Sequence, residues 1–219
     1  MFPRILQVVA WLIFSLLPVS ALAQLSAEPA TVYSIDSENS ILRVFVGRAG
    51  ILARLGHNHV IHTRSLSGEI RLSPDLLDSR GGFSFPVNSL IVDDPAERER
   101  AGDEFDSQPN ESAIAGTREN MLGEEVLHAS AFPEISVAVA PLSSSGEQWL
   151  LAVAISFQGR THNQEIPAVI VVDETSMQIQ ASFTLQHDDL GLSPFTAVGG
   201  SLRVAEALDF ELSLLAQAQ

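Results

Sequence analysis

The amino-acid sequence predicts an all-β fold of about eight antiparallel strands, arranged as a barrel or a sandwich. Apolar and polar residues alternate with a period of two through residues 177–185 and again through residues 208–214. Short turn signals, among them Ser145-Gly146 and Asp173-Glu174, separate such segments along the chain. Alternation of this kind places one face of each strand in a core and the other face in water.

Residues 1–23 have the features of a signal peptide. Arg4 provides a short positive region, residues 5–17 are mostly apolar, and Ala21-Leu22-Ala23 fits the small-x-small cleavage pattern. The apolar run is shorter than the roughly 20 residues that cross a bilayer as a helix. We therefore expect a Sec-type signal, a periplasmic or secreted protein without a stable membrane span, and one folded domain over residues 24–219. The alternative is an uncleaved N-terminal anchor.

Two strands of the predicted sheet, at residues 150–157 and 166–172, are apolar on both faces. Such a wall must be covered on its outside or must enclose something apolar. An earlier strand alternates from Phe83 to Val87, and Pro86 within it lacks a backbone donor, which indicates an edge or a bulge.

The segment from about residue 94 to residue 123 interrupts the strand pattern, and we predict one or two short helices there. Ile114, Met121 and Leu122 recur at helical spacing, and Asn110 stands where a helix N-cap is expected. Their apolar side chains need a place to be buried, which argues against a floppy acidic loop.

The composition limits the classes of partner. The chain carries a formal net charge of −15 at pH 7, and all 12 of its cations are Arg. Such a charge repels phosphate backbones, so nucleic-acid binding is not expected. It favours a monomer or a small oligomer such as a homodimer. The chain contains no Cys, which excludes disulfides and thiol chemistry.

Three of the six histidines lie close together, in Gly56-His57-Asn58-His59-Val60-Ile61-His62. In an extended strand, His57 and His59 point to the same side about 7 Å apart, whereas His62 points to the other side. We interpret the pair either as polar residues at a barrel mouth, hydrogen-bonded to backbone, or as part of a metal site. A neutral imidazole at the mouth could also donate to a quinone carbonyl or a headgroup phosphate.

A divalent metal at His57 and His59 requires further ligands from distant parts of the chain. His187 is a candidate because it ends a strand and reaches the pair if both segments lie at the same barrel end. The other available ligands are His128, His162 and Asp188.

Motifs of the common enzyme classes are absent from the sequence. It contains no Gly-x-Ser-x-Gly elbow, P-loop, dinucleotide fingerprint or His-Glu-x-x-His. Asp188 and Asp189 point to opposite faces of a strand and cannot act as a carboxylate pair. Asp93-Asp94 is interpreted as a solvated turn. We therefore expect a binding protein rather than an enzyme, with no catalytic residues.

Six short segments of the chain indicate a protein family more specifically through their order and spacing than any one of them does alone. They are Tyr33-Ser34-Ile35-Asp36, Gly68-Glu69-Ile70, Phe85-Pro86-Val87-Asn88-Ser89-Leu90, Phe132-Pro133-Glu134-Ile135, Asp189-Leu190-Gly191-Leu192 and Gly199-Gly200-Ser201-Leu202. On these segments the chain resembles the YceI-like family of exported lipid-binding proteins over nearly all of residues 31–215. The resemblance implies an eight-stranded, lipocalin-like antiparallel barrel with a helical cover. It also implies an elongated apolar lumen that takes a polyisoprenoid or a similar amphiphile.

The expected function is that of a periplasmic protein that sequesters or carries a polyisoprenoid or a quinone-like amphiphile. An eight-stranded barrel has room for side chains or for one slender ligand. The alternatives are a histidine-based metal-binding protein and a stress-related structural barrel whose lumen its own side chains fill. The residues expected at a polar mouth or metal site are His57, His59 and His187. The residues expected to line the lumen are Phe83, Phe85, Ile135, Val137, Val153, Ile155, Phe157, Phe183 and Phe210.

Overall fold

Twelve β-strands of the computed structural model form one antiparallel sheet within residues 30–219, the part of the chain that the structure describes. The signal peptide predicted at residues 1–23 lies outside this part. No helix of the described residues has the length and the apolar character needed to cross a membrane. The strands are β1 (Thr31–Ile35), β2 (Ile41–Ala49), β3 (His59–Thr63), β4 (Ser67–Leu72), β5 (Arg80–Pro86), β6 (Ile91–Val92), β7 (Glu134–Ser145), β8 (Gln148–Phe157), β9 (Arg160–Val172), β10 (Ser176–Gln186), β11 (Thr196–Ala197) and β12 (Leu202–Ala218).

Eight of these strands close into a barrel. Their order is β1, β4, β5, β7, β8, β9, β10 and β12, and β12 pairs again with β1. The longest ladder joins β10 and β12 without interruption, from Ser176 opposite Gln217 to Gln186 opposite Ala207. The prediction of an eight-stranded antiparallel barrel with a short helical insertion is confirmed.

Strands β2, β3 and β6 lengthen the barrel wall at one end. β2 pairs with the same edge of β12 as β1 does. β3 pairs with β2 in the way that β4 pairs with β1, and β6 in turn pairs with β3. Between β1 and β2 the Asp36 side chain accepts hydrogen bonds from the backbone N–H groups of Glu38 and Asn39. β1 and β2 therefore form one long strand with a local interruption, and so do β3 and β4.

Two helices follow β6, inside the segment for which the sequence predicts them. Helix α1 (Pro95–Ala101) begins at Asp94, whose carboxylate accepts hydrogen bonds from the backbone N–H groups of Ala96 and Glu97. The helix ends at Gly102, whose φ of 86° is in the region that favours glycine. Helix α2 (Glu111–Leu122) begins at the predicted cap, Asn110, whose side chain accepts from Ala113 N–H at 2.9 Å.

The topology places different connections at the two ends of the barrel. The helical end carries the β2–β3 loop (residues 50–58), the β6–β7 connection with both helices, and the β10–β12 connection (residues 187–201). The terminal end carries the start of β1, the end of β12, and the β4–β5, β7–β8 and β9–β10 connections. Helix α1 packs on the outside of β3, and α2 contacts β6.

The barrel interior follows the alternation that the sequence predicts. Phe183 of β10 and Phe210 of β12 stack inside it, with ring centroids 5.1 Å apart, while Ser182 and Thr184 on either side of Phe183 are exposed. In β8, which is apolar on both faces, the outward positions at Ala152 and Ala154 hold small, half-buried side chains. Trp149, Leu151 and Val153 of the same strand point inward, where they help to surround a common space.

Candidate ligand-binding site

An elongated cavity of about 520 Å³ occupies the interior of the barrel. It extends from Ile35 and Leu72 near the terminal end to Leu90 and Met121 near the helical end. Nearly all of the side chains that line its middle are apolar. Its volume falls in the range of about 300–1,000 Å³ that is typical of sites for small organic ligands.

All nine side chains that the sequence assigns to the lumen line this cavity. They come from β5, β7, β8, β10 and β12, so they surround it on several sides. Their contact with a ligand stays a prediction. The nine are Phe83, Phe85, Ile135, Val137, Val153, Ile155, Phe157, Phe183 and Phe210.

Sequence reasoning missed other lining residues. Trp149 and Leu151 have the same parity in β8 as Val153, so the alternation of that strand could have identified them. Met121 and Leu127 line the helical end of the cavity. Their apolar character indicated burial, but the sequence does not show that the helical insertion bends over the barrel end.

The three histidines assigned to a polar mouth also line the cavity, near its helical end. The rings of His57 and His59 lie with their centroids 6.4 Å apart. His187 is buried, and its Nδ1 lies 2.9 Å from the backbone carbonyl oxygen of Glu206. Because a carbonyl only accepts, this Nδ1 carries the proton.

His59 is held by a buried carboxylate. Its Nδ1 lies 2.6 Å from Oδ2 of Asp93, whose side chain is fully buried. Oδ1 of Asp93 accepts a hydrogen bond from Val60 N–H at 3.0 Å and another from Arg98. Burial by itself would raise the pKa of Asp93, but the hydrogen bonds and charges of these partners outweigh it and hold that pKa below its ordinary value.

The ionised state of Asp93 determines which nitrogen of His59 carries a proton. A carboxylate only accepts hydrogen bonds, so Nδ1 of His59 is protonated and donates. In the neutral ring Nε2 is then an acceptor, and in the charged ring it is a second donor. A neutral His59 therefore cannot donate to a quinone carbonyl, which corrects that interpretation of the sequence for this residue.

Arg98 links both mouth histidines to the helical insertion. Its guanidinium donates to Asp93, to the backbone carbonyl of Asn58 at 2.8 Å, and to Oγ of Ser107 at 3.1 Å. The same Ser107 Oγ lies 3.3 Å from Nδ1 of His57. Because a guanidinium only donates, Ser107 is free to donate its own proton to His57.

The interpretation of Asp93-Asp94 as a solvated turn is wrong for Asp93. Its carboxylate is one of the most buried polar groups of the described residues, at 2% residue exposure, and its φ of 56° is unusual outside glycine. Asp94 instead caps α1. A pair of acidic residues before Pro95 indicates a helix start, but no local signal shows that one of them turns inward.

The described residues contain no group of three His, Cys, Asp or Glu side chains placed to hold a metal ion. Two of the further ligands considered from the sequence pack against aromatic rings instead. His162 lies 5.1 Å from Phe157 between ring centroids, and His128 lies 5.6 Å from Phe132. A metal at His57 and His59 thus stays a prediction that lacks a third ligand within residues 30–219.

Three solved structures share this fold at low sequence identity. BcnA of Burkholderia cenocepacia aligns with a TM-score of 0.59 and 9% identity, over 83% of this chain and 98% of that chain. A polyisoprenoid-binding domain from Saccharophagus degradans, implicated in plant cell wall breakdown, aligns with a TM-score of 0.55 and 14% identity, over 85% and 98%. A YceI protein of Campylobacter jejuni aligns with a TM-score of 0.52 and 9% identity, over 73% and 84%.

No protein-family model matches the sequence, and no curated protein matches it either. The similarity to solved structures therefore stands alone, and identities this low establish a shared fold rather than a shared ligand. The chain has the fold of the YceI proteins, which confirms at the level of the fold the resemblance inferred from its sequence.

Proposed function

We propose that this chain binds a polyisoprenoid or a quinone-like amphiphile in the barrel cavity and carries or sequesters it without chemical turnover. The observation that supports this most is the elongated cavity of about 520 Å³, apolar along most of its length, with His57 and His59 at its helical end. The structural neighbour from Saccharophagus degradans is a polyisoprenoid-binding domain, which agrees with this proposal.

The dimensions of the barrel suit a long, thin ligand. The ladder of 11 residue pairs between β10 and β12 corresponds to about 33 Å of strand, or roughly 25 Å along a barrel axis from which strands tilt by about 40°. Each buried CH₂-sized group of a ligand contributes about 0.8 kcal/mol. A ligand of several five-carbon isoprene units would therefore gain many kilocalories per mole from the apolar lumen before the costs of binding.

The mouth histidines would recognise the polar end of such a ligand. Among residues 30–219 the hydrogen bonds of both rings use Nδ1, which leaves each Nε2 for a ligand. When Ser107 donates to Nδ1 of His57, neutral His57 carries its proton on Nε2 as a donor, while Nε2 of neutral His59 is an acceptor. This donor–acceptor pair matches a hydroxyl group.

We place this function in the periplasm or outside the cell, because residues 1–23 have the composition of a Sec-type signal peptide. An exported carrier gives an isoprenoid a path through water that the free lipid lacks. The absence of the common enzyme motifs from the sequence favours binding over catalysis.

Native mass spectrometry of the purified protein, incubated with a polyprenol and a polyprenyl phosphate, tests the proposal. We expect one bound lipid that organic solvent releases. The variant Ala181→Trp fills the lumen, because Ala181 lines the cavity, whereas Ser182→Trp changes the exposed face of the same strand. The adduct should disappear in the first variant and persist in the second, with circular dichroism showing that both fold. Absence of any lipid adduct in the wild type would overturn the proposal.

A further inference from the structure

The β2–β3 loop displays two large apolar side chains to solvent. Ile51 is 94% exposed and Leu55 is 74% exposed, more than any other large apolar side chain of the described residues. The other exposed large apolar residues, from Leu76 to Val172, are 41–48% exposed. We refer to Ile51 and Leu55 together as the apolar tip.

The loop that carries the apolar tip is firmly attached to the barrel. Backbone hydrogen bonds close successive turns from residue 50 to residue 56, and Leu52 N–H donates to the carbonyl of Ser201 at 2.9 Å. A Cβ atom at Gly50 would lie 2.5 Å from that same carbonyl oxygen, and the φ of Gly50 is 96°, so this position requires glycine. The display of Ile51 is thus a fixed feature of the loop.

The apolar tip borders the opening of the cavity. Gly56 and His57, which directly follow Leu55, line the cavity, and so does Leu202, whose side chain is packed against Gly56. A surface that covers the tip would therefore also face the polar mouth.

Three arginines surround the tip, although the chain as a whole is strongly acidic. Arg48 and Arg203 are exposed and line the cavity opening, and Arg54 is exposed within the loop itself. Arg48 donates to the carbonyl of Gly56, and Arg203 lies 3.7 Å from Glu206. Guanidinium groups beside apolar side chains suit an interface that offers hydrocarbon at one depth and phosphate at another.

We propose that the apolar tip and these arginines dock the helical end of the barrel onto a phospholipid bilayer, so that the ligand passes between membrane and lumen without crossing water. This inference rests on the proposed function for its purpose, but not for its test. The net charge of −15, with the acidic residues Asp103, Glu104 and Asp106 in the segment that contacts Asn58, points to a zwitterionic bilayer rather than a strongly anionic one.

A fluorescence experiment tests where the protein touches the bilayer. Because the chain has no Cys, Ile51→Cys and Leu77→Cys each introduce one site for an environment-sensitive label. Leu77 is 48% exposed at the opposite end of the barrel and serves as the matched control. With phosphatidylcholine–phosphatidylethanolamine vesicles, we expect a blue shift of the label at position 51 and none at position 77. A shift at neither position, or the same shift at both, would overturn the proposal.

The label also separates a membrane from a second copy of the protein. A blue shift at position 51 that grows with protein concentration in the absence of vesicles would assign the tip to self-association and overturn membrane docking.

Vesicle flotation with paired variants gives a second, independent measurement. We expect Ile51→Ser/Leu55→Ser to lower the vesicle partition coefficient by at least about tenfold, because two apolar side chains no longer leave water. Leu76→Ser/Leu77→Ser should leave it unchanged. The rate at which a fluorescent polyprenol moves from vesicles to the protein should fall with the first variant, whereas the affinity for the same lipid in detergent stays the same. Equal partitioning of both variants would contradict the proposal.

The two proposals fail separately in these experiments. If the protein binds vesicles through position 51 but takes up no polyprenol, the docking proposal stands and the proposed lumen ligand is wrong. If the protein binds polyprenol in detergent but does not bind vesicles, the proposed lumen ligand stands and the docking proposal is wrong.

Discussion

His59 donates a hydrogen bond of 2.6 Å from Nδ1 to Oδ2 of Asp93, whose carboxylate has no exposed surface. The bond joins the rim of the cavity to a buried cluster in which Asp93 also accepts from Arg98. It fixes the tautomer and the orientation of the imidazole, and so sets what the mouth offers to a ligand.

The substitution Asp93→Asn should destabilise the protein strongly. It removes the charge that partners the buried guanidinium of Arg98, and breaking a buried ion pair from one side costs about 3–5 kcal/mol. Urea unfolding at pH 7 measures the loss. Asp94→Asn is the matched control, because asparagine also caps helices well and should change the free energy of unfolding by only a few tenths of a kcal/mol. Equal losses in the two variants would show that the buried ion pair contributes nothing.

The stabilisation from Asp93 should be lost in acid. Its folded-state pKa lies below the ordinary value of 3.8, so its contribution is complete above that value and disappears as the pH falls through the lower folded-state pKa. The difference in unfolding free energy between the wild type and Asp93→Asn should therefore be constant from pH 7 to about pH 5 and shrink below about pH 4. A difference that stays constant down to pH 2 would show that the pKa of Asp93 is not lowered.

Much of the fold could be predicted from the sequence because strand alternation and helix capping are local signals. The period-two pattern of β10 identifies Met177 and Phe183 as inward-facing without any knowledge of their partners. Asn110 identifies the start of α2 for the same reason. The local interruptions of the walls, such as the turn at Asp36, follow from side-chain hydrogen bonds that a pattern of apolar residues does not encode.

The electrostatic part of the site could not be predicted, since it depends on contacts between distant segments. The parity of β3 places His59 on the cavity side, but its partner Asp93 is 34 positions away and looks like a surface residue in the sequence. Arg98, which connects Asp93 to Ser107, lies on the outer helix α1. Three-dimensional packing alone brings these side chains together and excludes water from them.

The buried histidine under helix α1 should make the protein less stable in mild acid. His62 is 6% exposed, its Nδ1 has no hydrogen-bond partner among the described residues, and desolvation is the main cause that lowers its pKa. As the pH falls below about 6.5, the unfolded chain binds a proton at this residue before the folded protein does, so folding becomes less favourable.

The variant His62→Met removes this titration. Its unfolding free energy relative to the wild type should rise as the pH is lowered from 8 to 5.5, because the variant avoids the cost of keeping a buried imidazole neutral. At pH 8, where the histidine is neutral in both states, the variant should be no less stable than the wild type, since the unpaired Nδ1 is gone. Parallel stability curves over this pH range would contradict the lowered pKa.

The substitution His59→Asn should separate headgroup recognition from lumen binding. The asparagine amide can occupy the place of Nδ1 and continue to donate to Asp93, whereas the nitrogen that faces a ligand, Nε2, is lost. Nε2 of neutral His59 accepts from a hydroxyl, and loss of a neutral hydrogen bond costs about 0.5–1.5 kcal/mol, so the affinity for a polyprenol should fall by roughly two- to tenfold. An isoprenoid hydrocarbon without a headgroup should bind as it does to the wild type, because its contacts are with the apolar middle of the cavity.

His162→Asn is the matched control, since His162 packs against Phe157 and does not line the cavity. Titration of the polyprenol and the hydrocarbon into the three proteins measures both affinities. An equal loss for the two lipids would mean that His59 shapes the lumen and does not recognise the headgroup.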